Sequence, residues 1–126
     1  MNHQNFDSVF QKIGGIDALH DIVDRFYDKV MADDSVNGFF EGANMDMQRG
    51  KMKAFLMMAL GGPARFTGKD MRTAHARLVT AGLGDAHYDT VIGYLVESLK
   101  EHGVAQDIIS EIGTVAESVR NDVLNR

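Results

Sequence analysis

Apolar residues recur at intervals of three and four along most of the chain, which is the spacing of one face of an α-helix. The pattern predicts a short first helix, Phe6–Ile13, and four longer helices: Ile16–Met31, a helix capped by Asn44 or Asp46 that runs to about Leu60, Ala86–His102 and Ala105–Leu124. A brief helical turn is predicted near Met71–Val79, and residues 64–70 are predicted to form a loop. The sequence therefore indicates an all-α fold in which residues 1–126 form a single domain.

Composition and charge exclude several classes of protein. The 44% of hydrophobic residues suffices for one core, and a chain of net charge -5 without a basic stripe does not suit nucleic acid. Cysteine is absent, which excludes disulfides, thiolate metal sites and cysteine nucleophiles. The first residues form no charged leader, and no apolar run approaches the ~20 residues of a membrane helix. We therefore expect a cytoplasmic protein that binds neither nucleic acid nor membranes.

Local catalytic motifs are missing from the sequence. It contains no Gly-x-Ser-x-Gly, phosphate loop or dinucleotide fingerprint, so hydrolase and nucleotide-binding functions have no local support. The five histidines include no i, i+4 pair that would indicate a zinc site on a helix. Candidate chemistry is therefore limited to isolated histidines.

His75 has apolar neighbours on its predicted helical turn. Met71 lies one turn before it and Leu78-Val79 just after, so the imidazole would project from an apolar face. Tyr27 lies on the inner stripe of the second helix, where its hydroxyl would need a partner once buried. The next helix has a face of mixed character, formed by Gln48, Lys51, Met52 and Phe55. The residue types alone are also compatible with His75 as an ordinary core or surface histidine. They are likewise compatible with the face from Gln48 to Phe55 as an ordinary half-buried helix boundary.

Longer runs of residues are more specific than these single positions. They are Ala32-Asp33-Asp34-Ser35-Val36-Asn37-Gly38-Phe39-Phe40, Asn44-Met45, Phe55 to Leu60 with Gly61-Gly62-Pro63, and Met71-Arg72-Thr73-Ala74-His75. With these runs, and with the spacing from Tyr27 through Phe40 to His75, the chain resembles the group I truncated haemoglobins. The resemblance covers about Ile13 to Val104, and the final helix matches by pattern alone.

The resemblance implies a two-on-two helical sandwich around haem b, which is iron protoporphyrin IX. It implies that His75 is the proximal ligand to the iron, that Phe40 packs on the haem and that Tyr27 is the distal hydroxyl donor. Gln48 and Met52 would face the bound gas. Many relatives carry a second glutamine at the position of Met52, so fewer hydrogen-bond donors are expected here. Tyr27 and Gln48 are thus the candidate catalytic residues.

Further haem contacts are expected from apolar and aromatic side chains: Phe39, Phe55, Met71, Leu78, Tyr88 and Val91. Lys51 and Arg72 are, by position, candidates for binding the haem propionates. Lys51 lies one turn beyond Gln48, and some relatives use this helical position for an internal sixth iron ligand. Propionate binding and iron ligation are therefore both open for Lys51.

The resemblance also implies a function. We expect reversible binding of oxygen, with nitric oxide and carbon monoxide as further gases. The expected turnover is oxidation of nitric oxide to nitrate by the oxygenated form, and whether the protein acts as an enzyme depends on an unidentified reductase. Two alternatives remain open: a haem-based gas sensor or electron-transfer protein with an internal sixth ligand, and a haem-free helical interaction module.

Overall fold

The computed structural model of the 126-residue chain describes residues 9–62 and 68–126. A helical stretch over residues 9–13 is followed by α1 (Gly15–Met31), a 3-10 helix (Asn37–Phe40), α2 (Met45–Ala59), α3 (Gly68–Thr80), α4 (Asp85–His102), α5 (Gln106–Ser118) and α6 (Arg120–Val123). These two ranges contain no β-strand. They also contain no helix that is both long and apolar enough to cross a membrane.

Helix α1 supplies a large share of the hydrophobic core. Its buried side chains, each at most 4% exposed, are Ala18, Leu19, Ile22, Val23, Phe26, Tyr27 and Val30. Because about 3.6 residues complete one turn, this spacing places them all on one face. Burial of each Leu, Ile, Val or Phe contributes about 1.5 to 3 kcal/mol. The helix is therefore stabilised mainly by tertiary packing.

Four helices form two crossed pairs. Helix α1 packs against α2 and α4, and α5 packs against the same two helices, so the contacts form a closed ring. Leu56 of α2, Leu95 and Leu99 of α4 and Ile109 of α5 complete the core. This arrangement confirms the predicted all-α fold with two helices layered on two.

Helix α3 stands outside this ring. Its main packing partner is the short helix α6. Met71 of α3 packs against a second apolar cluster, formed by Tyr88, Val123 and Leu124. The helix that carries His75 is therefore held by a different part of the molecule from the helix that carries Gln48.

The start of α3 corrects one prediction. The helix begins at Gly68, so the predicted loop is wrong for residues 68–70, and its remainder lies outside the described residues. Asp70 lies in the first turn, where the positive end of the helix dipole stabilises negative charge. The brief turn predicted near Met71–Val79 is accordingly a full helix of 13 residues.

The end of the chain corrects a second prediction, because Ala105–Leu124 is not one helix. Helix α5 ends at Ser118, and α6 begins at Arg120. The Ser118 hydroxyl donates to the carbonyl oxygen of Val115 at 2.6 Å, and such side-chain contacts compete with the helical hydrogen bonds.

The other helix boundaries agree with the predictions to within a residue or two. Asn44 caps α2, since its side chain accepts the N–H of Met47 at 3.2 Å. Of the predicted helix Phe6–Ile13, residues 9–13 are helical and the earlier part lies outside the described residues.

Ion pairs connect α1 to the end of α4. Glu101 accepts from Lys29 at 2.8 Å and from Arg25 at 3.4 Å. The hydrogen bond from Lys29 holds the pKa of Glu101 below its usual value of 4.5. A carboxyl pKa lowered by folding contributes stability above the usual pKa, and this contribution is lost as the pH falls through the lowered value.

We expect the free energy of unfolding of Glu101→Gln to fall less between neutral and acidic pH than that of the parent protein. The variant should be slightly less stable than the parent near neutral pH, because it loses the ion pairs, and the difference should disappear in acid. Urea unfolding at about pH 7 and about pH 3 measures both quantities. Glu111→Gln is the matched control, because Glu111 is exposed and forms no ion pair within the described ranges. Equal pH dependence in the two variants would contradict the prediction.

Candidate functional site

Helix α3 presents His75 with one ring nitrogen already occupied. The Nδ1 atom lies 2.8 Å from the carbonyl oxygen of Met71, and this contact requires the proton to be on Nδ1. The lone pair is then on Nε2, and the side chain is half-buried. Histidines that bind metals usually donate their second ring N–H to a carbonyl or carboxylate, which fixes the ring and raises its basicity. His75 has this arrangement.

The other described histidines are arranged differently. The Nδ1 atom of His87 accepts the N–H of Gly84 at 3.1 Å, which places the proton of the neutral ring on Nε2. His87 would have to change tautomer before it could bind a metal. His102 contacts Asp21 where α1 meets α4, and His20 is exposed on α1. His3 lies outside the described residues.

Tyr27 of α1 and Gln48 of α2 are in direct contact. The Tyr27 hydroxyl donates to the main-chain carbonyl of Gln48 at 3.1 Å, and the residue is only 4% exposed. Burial raises the pKa of Tyr27 to about 12, so the phenol keeps its proton at physiological pH. The ring of Phe40 meets that of Tyr27 edge to face, with centroids 5.8 Å apart. The structure thus brings Tyr27, Phe40 and Gln48 together.

Several large apolar side chains remain half-exposed although the core is closed. They come from the 3-10 helix, α2, α3 and α4, and they are Phe39, Phe40, Met52, Phe55, Met71, Leu78 and Val91. Leu56 and Leu95 of the core are, by comparison, fully buried. Apolar surface left open by several elements is typical of a ligand-binding cleft. A flat apolar macrocycle with one axial imidazole suits these residues, so they fit haem.

Five of these seven side chains pack on one of two apolar clusters. Met52, Phe55 and Val91 pack on the main core, as do Tyr27 and Phe40. Met71, which accepts the His75 hydrogen bond, packs on the second cluster under α6. The predicted distal residues therefore belong to a different packing cluster from Met71, which holds the predicted proximal ligand His75.

Two of the predicted haem contacts have other partners. The Arg72 guanidinium donates to Asp122 at 3.2 Å and to the carbonyl oxygen of Arg126 at 2.7 Å, so part of it is held by the end of the chain. Tyr88 is 8% exposed, and its hydroxyl donates to the carbonyl oxygen of Ala116 at 2.6 Å. Both residues connect to the end of the chain. Lys51, in contrast, is exposed.

Sequence reasoning missed Arg49, which holds the Gln48 end of α2 against α1. Its side chain lies 3.2 Å from Asp24 of α1 and 3.5 Å from Asp46. The spacing from Asp46 to Arg49 is a visible i, i+3 signal in the sequence. The contact with Asp24 has no such signal, because it depends on how α1 and α2 cross.

Comparison with known proteins gives consistent matches over almost the whole chain. A family model for bacterial-like globins matches residues 8–125. A group 1 truncated haemoglobin of Chlamydomonas moewusii is 46% identical, over 94% of this chain and 68% of its own length. The solved 2/2 haemoglobin of Synechococcus sp. PCC 7002, with covalently attached haem, is 45% identical and has a TM-score of 0.84, covering 94% of this chain and 98% of that chain.

A solved truncated haemoglobin of Tetrahymena pyriformis is 40% identical, with a TM-score of 0.79 over 92% of this chain and 97% of that chain. Its solved variants replace a tyrosine by phenylalanine and each of two glutamines by glutamate.

The sandwich of two helices on two agrees with the solved 2/2 haemoglobin that this chain matches. The chain belongs to the bacterial-like globin family and, within it, to the group 1 truncated haemoglobins. Its cofactor is haem, and it shares with globins the binding of gases such as oxygen.

Proposed function

We propose that this protein binds oxygen and other diatomic gases reversibly, and that it oxidises nitric oxide to nitrate with oxygen as the oxidant, after which a reductase returns the iron to the ferrous state. The observation that carries the proposal is His75, whose Nδ1 is held by the Met71 carbonyl and whose Nε2 is left for an axial bond. When bound, the haem supplies the iron at which a diatomic gas coordinates and exchanges electrons. The chain's own residues control the access of the gas, the polarity of its surroundings and the position of the haem.

The distal residues offer two hydrogen-bond donors to a gas ligand. The neutral Tyr27 hydroxyl is one donor, and it must leave the Gln48 carbonyl to reach the gas. The half-buried Gln48 side chain is the other, since its amide makes no hydrogen bond to the described residues. A gas ligand with partial negative charge is stabilised by such donors, whereas carbon monoxide is less polar and gains less.

The spacing of these residues supports the assignment. In the Tetrahymena pyriformis protein, the tyrosine changed in one variant precedes the two changed glutamines by 21 and 25 residues. The same separations lead from Tyr27 to Gln48 and Met52. Met52 therefore places a thioether at the position of the second glutamine. This chain has one hydrogen-bond donor fewer there than a chain with two glutamines.

Lys51 suits a propionate contact better than iron ligation. Its side chain is exposed on α2, one turn beyond Gln48, so its ammonium is solvated and its stem can cover the edge of the cofactor. Ligation would require the side chain to turn inward and to lose its proton. A sensor or electron-transfer protein with an internal sixth ligand is therefore the less favoured function.

We expect His75→Ala to lower haem retention sharply, because it removes the axial bond from the protein. Haem content per chain and the rate of haem transfer to apomyoglobin measure this. His102→Ala is the control, since His102 contacts Asp21 where α1 meets α4. Full haem content with an unchanged ferrous spectrum in the His75 variant would overturn the assignment.

We expect Tyr27→Phe to raise the oxygen dissociation rate about ten-fold. A hydrogen bond to a charged group contributes roughly 1.5 to 3 kcal/mol and a neutral one about 1 kcal/mol, so leaving the Gln48 carbonyl for the gas gains about 1.4 kcal/mol. Stopped-flow oxygen release measures the rate, and carbon monoxide release should change less. Tyr94→Phe is the matched control, because the Tyr94 hydroxyl donates to Asp33. An unchanged oxygen rate in the Tyr27 variant would show that Gln48 or water is the donor.

The charge distribution indicates what kind of reductase would fit. Residues 47–84, which include α3 and all of α2 except Met45 and Asp46, hold seven of the 13 Lys and Arg residues but one of the 18 Asp and Glu residues. Lys51, Lys69 and Arg77 of this region are exposed. The two haem propionates would neutralise part of this charge and leave an excess of positive charge. An electron donor with an acidic surface is attracted to such a region.

Reduction of the ferric protein by an acidic flavodoxin should therefore slow as salt rises. We expect about a ten-fold decrease between roughly 10 mM and 300 mM salt, with a similar decrease at low salt in the double variant Lys69→Glu, Arg77→Glu. Lys12→Glu is the control, because Lys12 lies outside residues 47–84 and near His102. Equal rates at both salt concentrations would rule out an acidic partner at this surface.

A further inference from the structure

Residues 120–126, which we call the clamp, hold α3 through Arg72. The Arg72 side chain donates to Asp122 at 3.2 Å and to the carbonyl oxygen of Arg126 at 2.7 Å. In return, the Asn125 side chain donates to the carbonyl oxygen of Arg72 at 3.0 Å. Side chain and main chain of Arg72 are therefore both fixed by the same short segment.

The clamp is itself anchored on the start of α4. The Arg126 guanidinium donates to both carboxylate oxygens of Asp85, at 2.6 Å and 2.8 Å, which is a strong paired geometry. Arg120 donates to Asp85 and Asp89, and its guanidinium lies 4.8 Å from the ring centre of Tyr88. The clamp thus connects the start of α4 to α3.

Met71 connects the clamp to His75. Met71 precedes Arg72, its side chain packs against the cluster of Tyr88, Val123 and Leu124, and its carbonyl oxygen accepts the Nδ1 proton of His75. Because that hydrogen bond sets the plane of the imidazole, a movement of Met71 reorients Nε2. Helix α3 has α6 as its main packing partner, so the clamp is its principal support.

We propose that the clamp positions the His75 imidazole and thereby tunes its bond to the haem iron. Arg72 is then a positioning residue, because it holds the helix that carries the proposed iron ligand. The inference rests on the proposed role of His75 as the axial ligand. It adds that residues 120–126 influence haem retention and gas affinity through α3.

Two variants test the clamp with little risk to the core. Asn125→Gly removes the amide and keeps the backbone, because the φ of +57° at Asn125 lies in the left-handed region that glycine adopts freely. Arg72→Met removes the guanidinium and retains the aliphatic stem. Arg25→Met is the matched control, since Arg25 forms comparable exposed ion pairs with Asp21 and Glu101 and does not touch α3.

Amide hydrogen exchange of the haem-loaded ferric protein is the first readout. We expect residues 69–80 to exchange at least about five-fold faster in both clamp variants, while α1 and α2 are unchanged and the control matches the parent. The iron–histidine stretching band of the ferrous protein is the second readout, and it should shift or broaden in the clamp variants alone.

The outcomes separate this inference from the proposed function. Unchanged exchange in α3 would overturn the clamp, and so would faster exchange with an unmoved iron–histidine band. If His75→Ala keeps this band together with full haem content, the proposed ligand is wrong, and the positioning role is lost with it. A band that is present and moves in both clamp variants supports both.

Discussion

Helices α1 and α4 pack together along their buried faces, and the functional elements take their positions from that contact. Helix α1 carries Tyr27 directly. Helix α4 begins at Asp85, on which α6 is anchored, and α6 in turn supports α3. A close-packed interior transmits displacement, so a shift between α1 and α4 would move the hydroxyl donor relative to His75. Tyr94 adds to this interface by donating to Asp33, which also fixes the loop before the 3-10 helix.

The apolar surface left open by this packing is where we propose that haem binds and completes the core. Met52, Phe55 and Met71 keep exposed surface that neighbouring side chains do not cover. Covering such surface contributes about 25 cal/mol for each Å² removed from water, so a ligand that binds there stabilises the folded chain. Helix α3 depends on this more than the other helices, because its main protein contact is the short α6. Cofactor binding and the position of α3 are therefore coupled.

The sequence predicted the elements wherever local pattern decides them. The apolar stripe from Leu19 to Val30 required a helix buried on one face, and Asn44 was one of two predicted caps for α2. The resemblance carried by runs such as Met71 to His75 also predicted the family and the cofactor. The apolar pattern predicted the wrong helix boundaries at residues 68–70 and at Ser118. One helix begins and another ends there because of packing and hydrogen bonding, which the spacing of 3.6 residues per turn does not encode.

The sequence by itself determined that the chain is helical, that His75 lies on an apolar turn and that Tyr27 faces inward. Only the tertiary structure decided what the polar groups of these residues contact. Arg72 binds Asp122, which is 50 residues away in sequence, and Tyr27 donates to the Gln48 carbonyl 21 residues away. Side-chain partners at such separations depend on how helices cross, and the crossing follows from the packing of the whole core, which no local spacing encodes.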